Sequence, residues 1–196
     1  ILVAGLGNRE VTPDALGPDV VSNLRITRHV IQEYGVQSMG REYANSISGL
    51  VPGVMAQTGM ETLEIIKGVV DETKPDVVFA VDALAARSTK RLNRTIQITD
   101  TGINPGSGVG NHRNGLSEET LGVKVIGIGV PTVVDAATIV QDSMAHLLDT
   151  LEESEKKEFL EEMIAPSLHS MFVTPKDVDE TVKRLSYTIS EGLNMA

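Results

Sequence analysis

Short, nearly continuous apolar runs alternate with segments whose apolar residues fall three and four apart, and this alternation constrains the fold more than any other feature of the chain. Ile1–Gly5, Val77–Val81 and Val123–Val130 are the runs. Strands that are apolar throughout suit a parallel sheet covered on both faces, whereas half-exposed strands alternate apolar with polar. Between the runs, Met60, Leu63, Ile66 and Val70 mark a helix that stops at Lys74-Pro75, and Val20, Leu24 and Ile31 mark another from about Pro18 to Ile31. Val133 to Leu151 continues the three-four spacing, and Val178, Val182, Leu185, Ile189 and Leu193 form the stripe of a last helix, which begins at Thr174-Pro175-Lys176-Asp177 as a near capping box. The pattern predicts an α/β protein, a three-layer sandwich around a mostly parallel sheet, with residues 1–196 forming one domain.

The remaining segments are less regular. Val36–Gly59 reads as loop with one short strand, Thr95–Thr99 as a weak strand, and Asp100–Gly122 as a Gly/Asn/Pro-rich loop long enough to suggest function. The acidic and lysine-rich run Glu152–Glu158 reads as a solvated continuation of a helix or a linker. The chain opens at Ile1 inside an apolar run without an initiator Met, so an N-terminal segment is expected upstream.

Charge and composition exclude several functions. The 17 basic against 27 acidic residues leave a net charge of -10, which repels phosphate backbones, and 3% aromatic content leaves little for base stacking. Nucleic acid is not an expected partner. Apolar runs of about six residues fall far short of the roughly 20 that span a bilayer. With no cysteine there is neither a disulfide nor a thiolate nucleophile or ligand.

In open parallel sheets the ligand sits beyond the carboxyl ends of the strands. The turn after the first strand carries Asp14, in Val11-Thr12-Pro13-Asp14-Ala15-Leu16-Gly17-Pro18, and the second strand ends at Asp82. Topology therefore brings these two carboxylates to one rim. Two carboxylates facing one water provide an acid and a base for amide hydrolysis, because repulsion between them keeps one protonated. The competing readings are that Asp14 starts a helix and that Asp82 caps local backbone. Asp100 and Asp135 also lie near strand ends, with Asp135 expected in the first turn of the long helix. His112 would complete a two-Asp, one-His metal site but has no HxxxH partner. Arg87 either pairs with Asp82, orients an acidic substrate residue, or is a plain surface arginine.

The glycine loops do not fit nucleotide binding. Gly5-Leu6-Gly7-Asn8-Arg9-Glu10 lacks the third glycine of the dinucleotide fingerprint, and Gly106-Ser107-Gly108-Val109-Gly110 lacks the Lys-Ser/Thr of a P-loop. No Gly-x-Ser-x-Gly elbow marks a serine hydrolase. An anion-binding module without catalysis remains a rival, with helix N-termini and glycine loops as its site.

Several blocks in order resemble the germination protease family of spore-forming bacteria: Gly5-Leu6-Gly7-Asn8, Thr12-Pro13-Asp14-Ala15-Leu16-Gly17-Pro18, Pro52-Gly53-Val54-Met55, Val81–Arg87, Asp100-Thr101-Gly102-Ile103, Pro105–Asn111, Gly129–Ala136 and Met171–Lys176. The resemblance implies an endopeptidase that begins the degradation of small acid-soluble spore proteins at germination. It also implies a zymogen with an N-terminal propeptide, a homotetramer, a place in the cytoplasm of the spore core, and a fold like the hydrogenase maturation proteases. In that related group an acidic residue after the first strand and an Asp after a later one face the cleavage site, which corresponds to Asp14 and Asp82. Their metal-binding pair is joined by a histidine, for which no residue here has a clear match, so no metal or other cofactor is carried over. A metal-dependent version, with the two aspartates as ligands, stays open. Members of the family are also longer, and the stretch Leu151–Glu155 is where an internal segment of theirs is expected to be absent.

Overall fold

The computed structural model describes residues 1–40, 42–106, 114–144, 155 and 164–195. Its framework is one sheet of order β2-β1-β3-β5-β4, with β6 also paired to β5. The strands are β1 (Leu2–Gly5), β2 (Ser48–Leu50), β3 (Val77–Ala86), β4 (Gln97–Thr99), β5 (Lys124–Asp135) and β6 (Phe172–Val173). β1 is parallel to β2 and β3, and β3 is parallel to β5, while β4 and β6 run antiparallel to β5.

Alternation along the strands sorts side chains into two cores. Leu2, Ala4, Val78, Ala80 and Val125 pack with Ile66 and Val70 of the helix α4 (Thr62–Thr73) and with Leu116 and Leu121. Val3, Val81, Ile128 and Val130 pack on the other face with Leu16 and Val20 of α1 (Leu16–Ser22) and with Val182 and Ile189 of the last helix, α7 (Val178–Asn194). Helices thus cover both faces of an open, mostly parallel sheet, the layering that the continuous apolar runs require. Among the described residues no helix is long and apolar enough to cross a membrane.

The structure departs from the sequence reading at several element boundaries. The helix expected from Pro18 to Ile31 is two, α1 and α2 (Arg28–Tyr34). The first ends at Ser22, and the second starts from its N-cap Thr27, whose hydroxyl donates to the Asn45 carbonyl at 2.6 Å and accepts from the Ile47 N–H at 2.9 Å, tying the chain to the segment before β2. The long helix expected from Val133 begins at Ala136 as α6 (Ala136–Ser143), because Val133 and Val134 extend β5 against Ala85 and Ala86. The rest of that expected helix and most of the charged run after it lie outside the described residues. The last helix begins at Val178, since the Thr174 hydroxyl donates to the Thr132 carbonyl at 2.8 Å and does not cap the helix. Short helices α3 (Met55–Thr58) and α5 (Glu118–Leu121) punctuate the loops.

Candidate active site

Near the rim the helix α1 crosses closely over the neighbouring strands β1 and β3. Gly5 pairs with Val81, and the Leu6 N–H donates to the Val81 carbonyl at 2.8 Å. Gly17, at the start of α1, lies directly on this crossing: a β-carbon there would collide with the backbone of both Leu6 and Val81. A side chain would push α1 off the sheet. Past the crossing the chain turns at Gly7, whose φ of 109° disfavours an L side chain, and then forms a single 3-10 turn, Thr12–Asp14.

Asp14 belongs to that turn and folds back toward the strand. Its carboxylate accepts the Asn8 N–H at 2.6 Å, while the Asn8 side chain accepts from the Glu10 N–H and from Gln57. Asp14 thus stands in a short helical turn ahead of α1, as the helix-start reading has it, and its half-buried carboxylate is also tethered to the glycine turn. The same turn is anchored from β5, where the Thr132 hydroxyl donates to the Pro13 carbonyl at 2.6 Å.

Asp82 stands within β3. The strand does not end there but continues to Ala86, and Asp82 has Gly129 of β5 as its cross-strand partner. Only 3% of Asp82 is exposed. Opposite Leu84 and Ala85 the ladder skips a residue, pairing Leu84 with Pro131 and Ala85 with Val133. Thr132 is the extra residue of this bulge, and the bulge turns its hydroxyl toward Pro13. Sequence reasoning missed Thr132; the available signal was a proline, which cannot donate to a ladder, inside an otherwise strand-like run.

Asp14 and Asp82 line one cleft of about 350 Å³ together with Val11, Pro13, Ala83–Ala85, Asn104, Gly106, Thr132, Val133, Phe172 and Thr174. Two acids meet a wall that is otherwise mainly apolar. The other candidates are elsewhere. Asp135 is the N-cap of α6, its carboxylate accepting the Thr138 N–H at 2.8 Å and hydroxyl at 2.6 Å. Asp100 and Arg87 are exposed and do not line the cleft. His112 and Ser107 fall outside the described residues, although Gly106, at the start of their loop, reaches the cleft. Among the described residues no three His, Asp or Glu side chains gather as a metal site.

A carboxylate with a different task was not foreseen. Asp142 of α6 accepts the Thr89 hydroxyl at 2.6 Å, the Thr89 N–H at 2.7 Å and the Ser88 hydroxyl at 3.1 Å, which docks the turn after β3 onto that helix. The Thr89 hydroxyl, more than any other group, holds the Asp142 carboxyl below the usual carboxylate range.

Comparison with known proteins adds an independent line. The family model described as germination protease matches residues 1–151 and 146–196. A protein named germination protease from Caldanaerobacter subterraneus subsp. tengcongensis is 49% identical over the whole chain, one from Clostridium tetani 47%, and one from Bacillus subtilis 43%. The chain spans 65% of the length of each. The alignment with the Bacillus subtilis protein runs over 244 positions for the 196 residues here.

Proposed function

The chain belongs to the germination protease family, and from that membership we propose that it is the catalytic part of an endopeptidase that begins the degradation of small acid-soluble spore proteins at germination. The observation that carries the chemistry is the cleft shared by Asp14 and Asp82. In this reading the two carboxylates hold one proton between them. The ionised one takes a proton from a water that attacks the scissile carbonyl, and the protonated one donates to the departing amine. Which aspartate takes which part is a property of the pair.

Their settings suit these parts. The Asn8 N–H stabilises negative charge on Asp14. Burial at Asp82 raises the cost of a second charge beside the first. Release from a zymogen, assembly as a homotetramer and action in the spore core belong to the same reading. Ile98 on the outer strand β4, 70% exposed, is an apolar surface that a subunit contact would cover.

Incubating the purified protein with an acid-soluble spore protein and sequencing the products by mass spectrometry tests the proposal. New internal peptide termini are the expected result, and an intact substrate after prolonged incubation would refute it.

A further inference from the structure

β1 and β3 end at different heights. β1 stops at Gly5 beside Val81, and β3 runs on through Asp82–Ala86 with β5 as its neighbour on one side. Successive residues of a strand turn their peptide groups to opposite edges. Val81 turns its carbonyl to β1. Ala83 and Ala85 therefore turn theirs to the side that β1 has vacated, while Asp82 and Leu84 face β5. Among the described residues no backbone group outside the ladders bonds to Ala83 or Ala85.

The cleft follows this free edge. It is lined by Asp82, Ala83, Leu84 and Ala85 without a gap. A cavity lying over the face of a sheet meets every second residue, since side chains alternate; one that runs along an edge meets consecutive residues. Sheet edges are commonly guarded by lysine, proline or an inward charge. Ala83-Leu84-Ala85 has none of these, and all three are half-buried.

We infer that the edge of β3 at Ala83–Ala85 takes up an extended segment of the substrate polypeptide as an added strand and so carries its backbone past Asp82 and Asp14. The choice of occupant rests on the endopeptidase reading above. A polypeptide is the substrate class whose repeating N–H and C=O groups match an edge, and strand addition derives its affinity from the main chain and its selectivity from alternate side chains. Val11 and Phe172, which also line the cleft, offer an apolar contact for such side chains.

Residue-resolved amide hydrogen exchange tests this in the full chain carrying Asp14→Asn, which leaves β3 intact and slows turnover, with an acid-soluble spore protein at saturating concentration. The Ala83 and Ala85 amides are expected to exchange at least about tenfold more slowly with the substrate bound, and the Leu84 amide, already bonded to β5, to change little. Binding without slowing at Ala83 and Ala85, or cleavage by the unmutated chain without it, overturns the edge assignment and leaves the endopeptidase reading intact. Slowing at both amides with no cleavage by the unmutated chain supports the edge and defeats the endopeptidase reading. Neither binding nor cleavage overturns both.

Discussion

The Thr132 hydroxyl donates to the Pro13 carbonyl across 119 positions of sequence, at 2.6 Å, and so fixes the short turn that carries Asp14 to the bulge of β5. Thr132 is only 1% exposed. It touches neither carboxylate in this bond; its part is to position the wall on which one of them stands. Replacing it by valine keeps the shape and removes the donor. Thr132→Val is expected to cost about 1 kcal/mol of stability and to lower kcat by up to about tenfold with little change in KM. Steady-state kinetics and denaturant unfolding on the same preparation check both; a changed KM with an unchanged kcat would contradict the positioning role.

Asp14→Asn and Asp82→Asn, made separately, are each expected to lower kcat/KM by about a hundredfold or more, the usual contribution of a general acid or base. Asparagine preserves size, so the folded state persists, which circular dichroism and the melting temperature verify. Near wild-type turnover by either variant would remove that residue from the chemistry.

If water is activated by the carboxylate pair alone, dialysis against a chelator leaves kcat unchanged within about twofold. Loss of activity that one divalent ion restores would assign the aspartates as metal ligands.

At Gly17, Ala is expected to destabilise the fold by about 3 kcal/mol, because its β-carbon meets backbone of Leu6 and Val81 and not a movable side-chain end. The denaturant midpoint reads this directly. Gly68, on the outer face of α4, has open space around it and gives a contrasting control.

The pH dependence of stability should carry a contribution from Asp142. Its carboxyl lies below its ordinary value in the folded state, chiefly through the Thr89 hydroxyl. A depressed carboxylate stabilises the fold above the unfolded-state pKa of about 4 and loses that contribution as pH falls through the folded value. Asp142→Ala is therefore expected to be less stable than the parent by about 1 kcal/mol at pH 7, with a smaller difference at about pH 3, below the unfolded-state value. Thermal melts at the two pH values provide the comparison.

How much of this was legible in the sequence differs from element to element. The near-continuous runs at Ile1–Gly5, Val77–Val81 and Val123–Val130 identified three parallel strands, and topology alone directed Asp14 and Asp82 to one rim. The end of β3 was not legible. Ala83-Leu84-Ala85-Ala86 has weak intrinsic preference for a strand, and pairing with the unusually long β5 decides its conformation. The break between α1 and α2 was hidden for a related reason: the apolar spacing passes through it, and a distant partner, Ile47, holds Thr27 where the second helix starts. The bulge at Thr132 depends on where two strands lose register, and its local trace is the neighbouring Pro131.

The strand order has a bearing on when this molecule can act. Asp14 and Asp82 are both made before β5, yet β3 is held by β5, and the turn bearing Asp14 is pinned from Thr132. A chain still emerging from the ribosome thus possesses both acids well before it possesses the strand that braces them. If the pair is the reacting one, competence therefore waits until β5 has been made and folded against β3.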